Sequence, residues 1–343
     1  MEYLDGIVLG IETSCDETSC ALVRGREVLS NVVSSQAALH MKWGGVVPEV
    51  AARKHTEALL PALERAFEEA HVSFDEIRGI GVTNRPGLVG ALAVGVAGAK
   101  ALSLAWKVPM LGVHHLEAHI LSPLMAEDVP FPHVCLLVSG GHTELILVRG
   151  AGMYEKLGGT IDDAAGEAFD KCARAMGLGF PGGPAIQKIA EKGDPHRYKL
   201  PRGLSDPNMN FSFAGLKTAV LKLIEKEKDS LDVPSLAASF EEVVTSVLAE
   251  RTFYACKETN AKAVTLVGGV AANRRLRSKM DELSKRYDIG FFAAPLSLCT
   301  DNAAMIAHVA AWRLSFGERD DLDMETLSSA PLPGLQATGI VSE

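Results

Sequence analysis

The chain has 343 residues, 47% of them apolar and 22% charged, with a formal net charge of −9. That length suggests two domains, and the composition excludes a wholly disordered chain. The acidity excludes a stand-alone nucleic-acid binder, which carries a basic footprint. Met1-Glu2-Tyr3-Leu4-Asp5 has no positive n-region, and Glu12 interrupts the next apolar stretch. No signal peptide is expected, and the location expected is cytoplasmic. The longest apolar run, Pro86 to Ala99, is about fourteen residues, short of the roughly twenty of a spanning helix. Its glycines and alanines predict a close-packed core helix and no membrane partner. Six cysteines (15, 20, 135, 172, 256 and 299) form no Cys-x-x-Cys pair, so free thiols are expected.

In chain order, residues 7–25 read as strand, polar turn and strand, closing on Leu22-Val23-Arg24-Gly25. Residues 134–150 repeat that pattern and close on Leu147-Val148-Arg149-Gly150. A hairpin opening each half suggests an internal duplication. Between them come a helix at 48–70 with Pro48 in its first turn, a strand at 77–83, the Gly/Ala helix at 87–106, and a strand at 108–113. A helix carrying His115 and His119 follows. After the second hairpin the pattern predicts a helix near 162–176, a shaped Gly/Pro loop at 179–184, a polar stretch near 191–212, and helices near 213–228 and 235–259. A strand at 263–267 runs into Gly268-Gly269 and a helix at 271–287. A strand at 289–294 leads to a last helix from Asp301. This alternation predicts an α/β fold of two lobes with a cleft. The lobes expected are 1–133, joined by a C-terminal helix at 301–320, and 134–300, with a tail at 321–343.

Four segments have chemistry-bearing spacing. His115 and His119 share one helical face, and two imidazoles at that spacing can hold one divalent metal. Glu117 lies about 200° around the helix from His115, which disfavours a zinc protease. Asp301 is the best third ligand, its alternative role being a helix N-cap. In Val138-Ser139-Gly140-Gly141-His142, two glycines in a turn let backbone N–H groups approach an anion. Leu266 to Asn273 is strand, two glycines and helix start, a place for a nucleotide, without a Walker or Rossmann pattern. Asp163, Glu167 and Asp170 fall on one stripe, either solvated or able to accept from a ribose.

Together these segments resemble a known family. GIETSCDET (10–18), GGVVPEVAARKH (44–55), HHLEAH (114–119), LVSGGHTEL (137–145), DDAAGEAFDK (162–171), GLGFPGGP (177–184), FSFAGLKTA (211–219), GGVAANRRLR (268–277) and CTDNAAMIA (299–307) all match in order. The chain resembles the bacterial TsaD family of tRNA N6-adenosine threonylcarbamoyltransferases. The resemblance implies the two-lobed actin-like ATPase and sugar-kinase superfold. It also implies a divalent metal, Fe2+ favoured and Zn2+ the alternative, on His115, His119 and Asp301. Leu137, Val138, Ser139, Gly140, Gly141, Asp170, Gly183 and Asn273 would contact the donor, threonylcarbamoyl-AMP, in a site that could also take ATP or ADP. The implied acceptor is N6 of the adenosine just 3′ of the anticodon (position 37) in tRNAs reading codons that begin with adenine. The implied partners are the tRNA anticodon loop, a TsaB-like paralogue and a TsaE-like ATPase, with the paralogue placed on the helix at 87–106.

Glu12 and His142, on the two hairpins, are candidates for proton transfer. Net charge is −6 over residues 1–133, +2 over 134–300 and −5 over 301–343. The acidity therefore bears on autonomous RNA binding and leaves room for a locally basic lobe. Arg274, Arg275, Arg277 and Lys199 are its candidate tRNA contacts. Two rival classes are an ATP-dependent small-molecule kinase of the same fold and a non-enzymatic nucleotide-binding scaffold. The first leaves the histidine pair unexplained. The second predicts that substitutions at the candidate donor contacts spare function.

Overall fold

Two runs of the sequence, Ile7-Val8-Leu9-Gly10-Ile11 and Val134-Cys135-Leu136-Leu137-Val138, are apolar without alternation, the pattern of strands covered on both faces. In the computed structural model, which describes residues 1–43, 45–205 and 207–336, both are central strands. Residue 44 of one motif, residue 206 of the polar stretch and residues 337–343 of the expected tail lie outside the described residues.

The chain begins with β1 (Ile7–Glu12), β2 (Glu17–Arg24), β3 (Glu27–Ser35), α1 (Ala37–His40), α2 (Pro48–Ala70), β4 (Ile77–Arg85), α3 (Val89–Trp106), β5 (Met110–His114) and α4 (His115–Leu121). It continues with β6 (His133–Val138), β7 (Thr143–Gly150), β8 (Met153–Gly159), α5 (Ala165–Ala175), α6 (Gly182–Ala190), α7 (Ala214–Glu227), α8 (Val233–Glu258), β9 (Ala263–Val267), α9 (Arg274–Tyr287) and β10 (Gly290–Ala293). Then come α10 (Ala303–Ser315) and β11 (Leu335–Gln336). These elements form two compact units. One is Met1–Glu127 with Thr300–Pro333, and the other is Asp128–Cys299 with the segment from Gly334.

The first unit holds a sheet in the order β3-β2-β1-β4-β5, the second a sheet in the order β10-β9-β6-β7-β8-β11. Read from the hairpin outward, β3-β2-β1-β4-β5 and β8-β7-β6-β9-β10 are the same arrangement. Three antiparallel strands are followed by two parallel ones in each. The repeat in the sequence is therefore a repeat of topology. Its third strands, β3 and β8, were not expected. In β3 and β8 apolar residues such as Val28, Val33 and Met153 are exposed, so hydrophobic periodicity was weak there.

Helix α10 lies against β1 and β4 at Gly10 and Gly81. A Cβ on Gly10 would collide with the Ala303 carbonyl, and one on Gly81 with the Ala310 methyl. These glycines bring the start of α10, and with it Asp301, close to the carboxyl ends of the parallel strands. Asn302 caps this helix by accepting from the Met305 N–H. Asp301 is thus not the cap, and its carboxylate is left for other partners.

Helix α3 is the one helix among the described residues long and apolar enough to cross a membrane by length and composition. Its inner face of Ala91, Leu92, Gly95, Val96 and Ala99 is buried. Val89, Gly90, Ala93, Ala97, Ala101 and Leu104 are exposed along the other. The expectation of a core helix thus holds for one face only. The loop expected at 179–184 is cut short because α6 already starts at Gly182. The helix expected from 271 starts at Arg274, after a short 3-10 turn over Gly269–Ala272. The tail is tied to the first unit where Asn84 Nδ2 donates to the Glu325 carbonyl at 3.1 Å and Lys100 Nζ to the Met324 carbonyl at 2.8 Å. It then pairs with β8 as β11.

A candidate metal centre and a candidate nucleotide site

Ligands in open parallel sheets gather at the carboxyl ends of the strands. Near those ends in the first unit lie Glu12 on β1, Thr83 on β4 and His114 on β5, with α4 starting at His115. One turn of α4 stacks the His115 and His119 rings edge to face, with centroids 4.7 Å apart. Both Nε2 atoms converge on Asp301 Oδ1, His119 at 3.1 Å and His115 at 3.5 Å. One ligand atom from each of the three residues fits within 4.8 Å. Two imidazoles and one carboxylate are a borderline donor set that suits a divalent transition ion. These residues fit such an ion.

The far side of His115 supports that reading. Its Nδ1 lies 3.0 Å from Glu12 Oε2 and 3.3 Å from Ser14 Oγ. A carboxylate behind a ligating histidine fixes the tautomer and presents the other nitrogen. Glu12 is fully buried. It also accepts from the Ser14 N–H and the Thr83 hydroxyl. Its oxygens are engaged and away from solvent, which favours a part in orienting His115 over the proton transfer expected of it. Burial works against charge on Glu12, but the adjacent imidazole holds its carboxyl below the usual range. Burial likewise opposes charge on Asp301 and His115. Each is overcome by the other, so the Asp301 carboxyl sits well below its ordinary value and the His115 imidazole well above. The His119 Nδ1 is buried and has no hydrogen-bond partner in the structure.

Glu117, on the opposite side of α4, is buried and receives Arg313 Nη2 at 2.7 and 3.0 Å and Nε at 3.1 Å. It is a structural ion pair, in line with its position around the helix.

In the second unit, the turn after β6 is closed by Ser139 N–H donating to the His142 carbonyl at 2.8 Å and by His142 N–H donating to Ser139 Oγ at 3.2 Å. Gly140 and Gly141 sit at its tip with open space where a Cβ would be. Leu137 and Val138 are fully buried, so any contact they make to a ligand is through the backbone. Gly268, at the end of neighbouring β9, has φ +91° and would press a Cβ against the Val138 carbonyl at 2.5 Å. Only glycine joins these two strand ends this closely. Asp170 Oδ1 accepts from the Gly182 N–H at 2.7 Å. Burial raises its carboxyl pKa against that bond. Gly183, next along, is open.

Asn273 caps α9 through its Oδ1 and donates its Nδ2 to Glu241 Oε1 at 2.7 Å. One N–H and one lone pair remain for a ligand. Of the carboxylate stripe, Asp163 lies before α5 and meets Lys171 and Lys217. Glu167 meets Lys171 at 2.7 Å. Those two belong to ion pairs, whereas Asp170 accepts from the Gly182 N–H, with Arg174 and Glu167 acting on its charge.

The basic row divides. Arg277 donates to the Ala271 and Ala294 carbonyls, both at 2.7 Å, and lies 3.0 Å from Cys299 Sγ. Arg275 and Lys279 hold Glu242, pulling that carboxyl down to about 2 against the effect of its burial. Arg274, paired with Glu191, and Lys199 are exposed. The sequence did not point to Thr83 and Ser14, which hold Glu12; Thr83 lies near the end of β4 and Ser14 just past β1.

The five- and six-stranded sheets with a common topology are those of the actin-like ATPase fold. HypF, solved in a phosphate- and nucleotide-bound form, matches with a TM-score of 0.61 at 14% identity, over 92% of this chain and 47% of that one. The family model for TsaD, tRNA N6-adenosine threonylcarbamoyltransferase, matches residues 27–308. Proteins of that name from Trichlorobacter lovleyi and Bacillus subtilis are 50% and 47% identical to it, covering 95% and 99% of this chain and 97% and 99% of their own. The chain belongs to the TsaD family of tRNA N6-adenosine threonylcarbamoyltransferases.

Proposed function

We propose that the protein transfers a threonylcarbamoyl group from threonylcarbamoyl-AMP to N6 of the adenosine just 3′ of the anticodon in tRNA. The observation that carries this reading, beside family membership, is the convergence of His115, His119 and Asp301 on one point behind a buried Glu12. A small-molecule kinase on the same fold has no need of that set.

In the proposed reaction, N6 forms a bond to the carbamoyl carbonyl carbon. The bond from that carbon to the phosphate oxygen breaks, AMP leaves, and N6 loses a proton. An aromatic amine is a weak nucleophile, so most of the work is positioning and stabilising the leaving group. The backbone N–H groups of the turn from Ser139 to Gly141 would hold the phosphate. The remaining oxygen of Asp170 would accept from a ribose hydroxyl, with Gly183 allowing close approach and Asn273 steadying the nucleoside. His142, at the end of the turn, is the remaining candidate for handling the proton. A divalent ion on His115, His119 and Asp301 would supply Lewis acidity, with Fe2+ favoured over Zn2+. Arg274 and Lys199 are the exposed cations for tRNA phosphates, while the bonds already made by Arg275 and Arg277 make them weaker candidates.

The small-residue stripe of α3 would admit a partner helix at close range, which supports a TsaB-like paralogue as the partner there. A TsaE-like ATPase is the further partner proposed. The location proposed is cytoplasmic. The test is a reconstituted reaction with donor and tRNA, followed by mass spectrometry of the tRNA nucleosides. A threonylcarbamoyl-adenosine product supports the reading, and a phosphorylated small acceptor made without tRNA contradicts it.

A further inference from the structure

Helix α5 has no capping side chain of its own; the residue before it is Ala164. The first N–H groups of a helix need partners from elsewhere. Here the turn after β6 supplies two. Thr143 Oγ1 accepts from the Ala165 N–H at 2.9 Å, and the Ser139 carbonyl accepts from the Gly166 N–H at 3.2 Å. Thr143 is fully buried, and its own carbonyl accepts from the Thr160 N–H at 2.8 Å. The approach is as close as backbone allows. A Cβ on Gly166 would lie 2.5 Å from the Ser139 carbonyl oxygen and 2.7 Å from Gly140 Cα. Further along the same helix, a Cβ on Gly182 would lie 2.5 Å from Asp170 Cα.

One rigid helix therefore touches the turn at Ser139–Gly140, carries Asp170, and sets the start of the segment holding Gly183. We infer that α5 fixes the distance between the phosphate-holding turn and the ribose contacts, and that Thr143 and Gly166 are positioning residues for the donor nucleotide. The inference rests on the nucleotide reading proposed above. Thr143 is fully buried and Gly166 has no side chain, so neither is proposed as a direct contact of the nucleotide. Thr143 acts by capping the helix from the turn, and Gly166 by having no side chain to hold the two apart.

The test compares Thr143→Val, Thr143→Ser, Gly166→Ala and Asp170→Ala in the full chain. It uses calorimetric binding of AMP, the nucleotide released by the reaction, with unliganded thermal unfolding alongside. Losing a cap weakens what depends on it roughly two- to thirtyfold. Thr143→Val, which keeps the shape and loses the oxygen, should weaken AMP by about that factor and raise KM for the donor with kcat near wild type. Thr143→Ser should restore both. Gly166→Ala should weaken AMP at least as much; if it does not fold, Thr143→Val decides. Wild-type AMP affinity in folded Thr143→Val, with Asp170→Ala impaired, overturns the inference alone. Wild-type affinity in Asp170→Ala as well overturns the nucleotide reading and the inference with it.

Discussion

The Nδ1 of His115 lies 3.0 Å from Oε2 of Glu12, and that carboxylate is fully buried with two further donors on it. The pair sets which nitrogen of His115 is offered toward Asp301. Glu12→Gln keeps the shape and removes the charge that holds the imidazole. Loss of such a partner typically lowers metal affinity about 10- to 100-fold. That drop is the expected outcome for zinc or cobalt titrated into the purified protein, with little change in unfolding temperature. Unchanged affinity would leave Glu12 a packing residue.

Arg313 and Glu117 form a two-pronged pair in which the carboxylate is 1% exposed. Removing one member leaves a buried charge without its partner, which typically costs about 3–5 kcal/mol. Arg313→Met should lower the unfolding free energy by that order, read as a lower denaturant midpoint at unchanged m. Arg313→Met with Glu117→Leu should recover much of it. Equal stability of the single and double variants would show that the carboxylate finds another partner.

His133 and His308 are buried, and burial pushes both imidazoles down to about 4 despite backbone carbonyls beside them. Each places Nδ1 on a carbonyl, Pro130 at 3.1 Å and Gly25 at 3.4 Å, and each Nε2 is buried without a partner in the structure. The unfolded chain takes up these protons near pH 6.5 and the folded one only near pH 4. Stability is therefore present above about 6.5 and is lost as pH falls through that window, on the order of 3 kcal/mol per histidine. Urea midpoints measured from pH 7 to 4 should fall steadily. His133→Gln with His308→Gln should flatten the slope, and an unchanged slope would assign it to other groups.

On α3, Gly95 and Ala97 face opposite ways. A Cβ on Gly95 would meet Thr13 Oγ1 at 2.5 Å, whereas Ala97 is exposed. Gly95→Leu should destabilise the fold itself. Ala97→Arg should leave unfolding temperature near wild type and abolish co-purification with a TsaB-like partner. Retained co-purification in folded Ala97→Arg would move the partner off this face.

The sequence made the architecture legible wherever burial is continuous. β1, β6 and β9 are mostly apolar and buried at every position, and the shared exit Leu-Val-Arg-Gly marked the duplication. The candidate metal set was legible in part because His115 and His119 are one turn apart on a helix. Asp301 is distant in sequence and was reached as a candidate only, since by residue type it could equally well have been the cap of the last helix. Glu12 was noticed without its partners, because nothing in a linear pattern shows that Thr83, seventy-one residues on, lies on the neighbouring strand and donates to it. Thr143 and Gly166 were invisible as a contact for the same reason. A helix without its own cap signals only that something else caps it.

The most direct measurement of the central claim is nucleoside mass spectrometry of tRNA after reaction with threonylcarbamoyl-AMP, comparing wild type with His119→Ala and Asp301→Ala at matched folding and with AMP binding checked in each. The wild type should give threonylcarbamoyl-adenosine, both variants should lose most of that product, and AMP binding should stay close to wild type. Equal product from variants and wild type would contradict that claim.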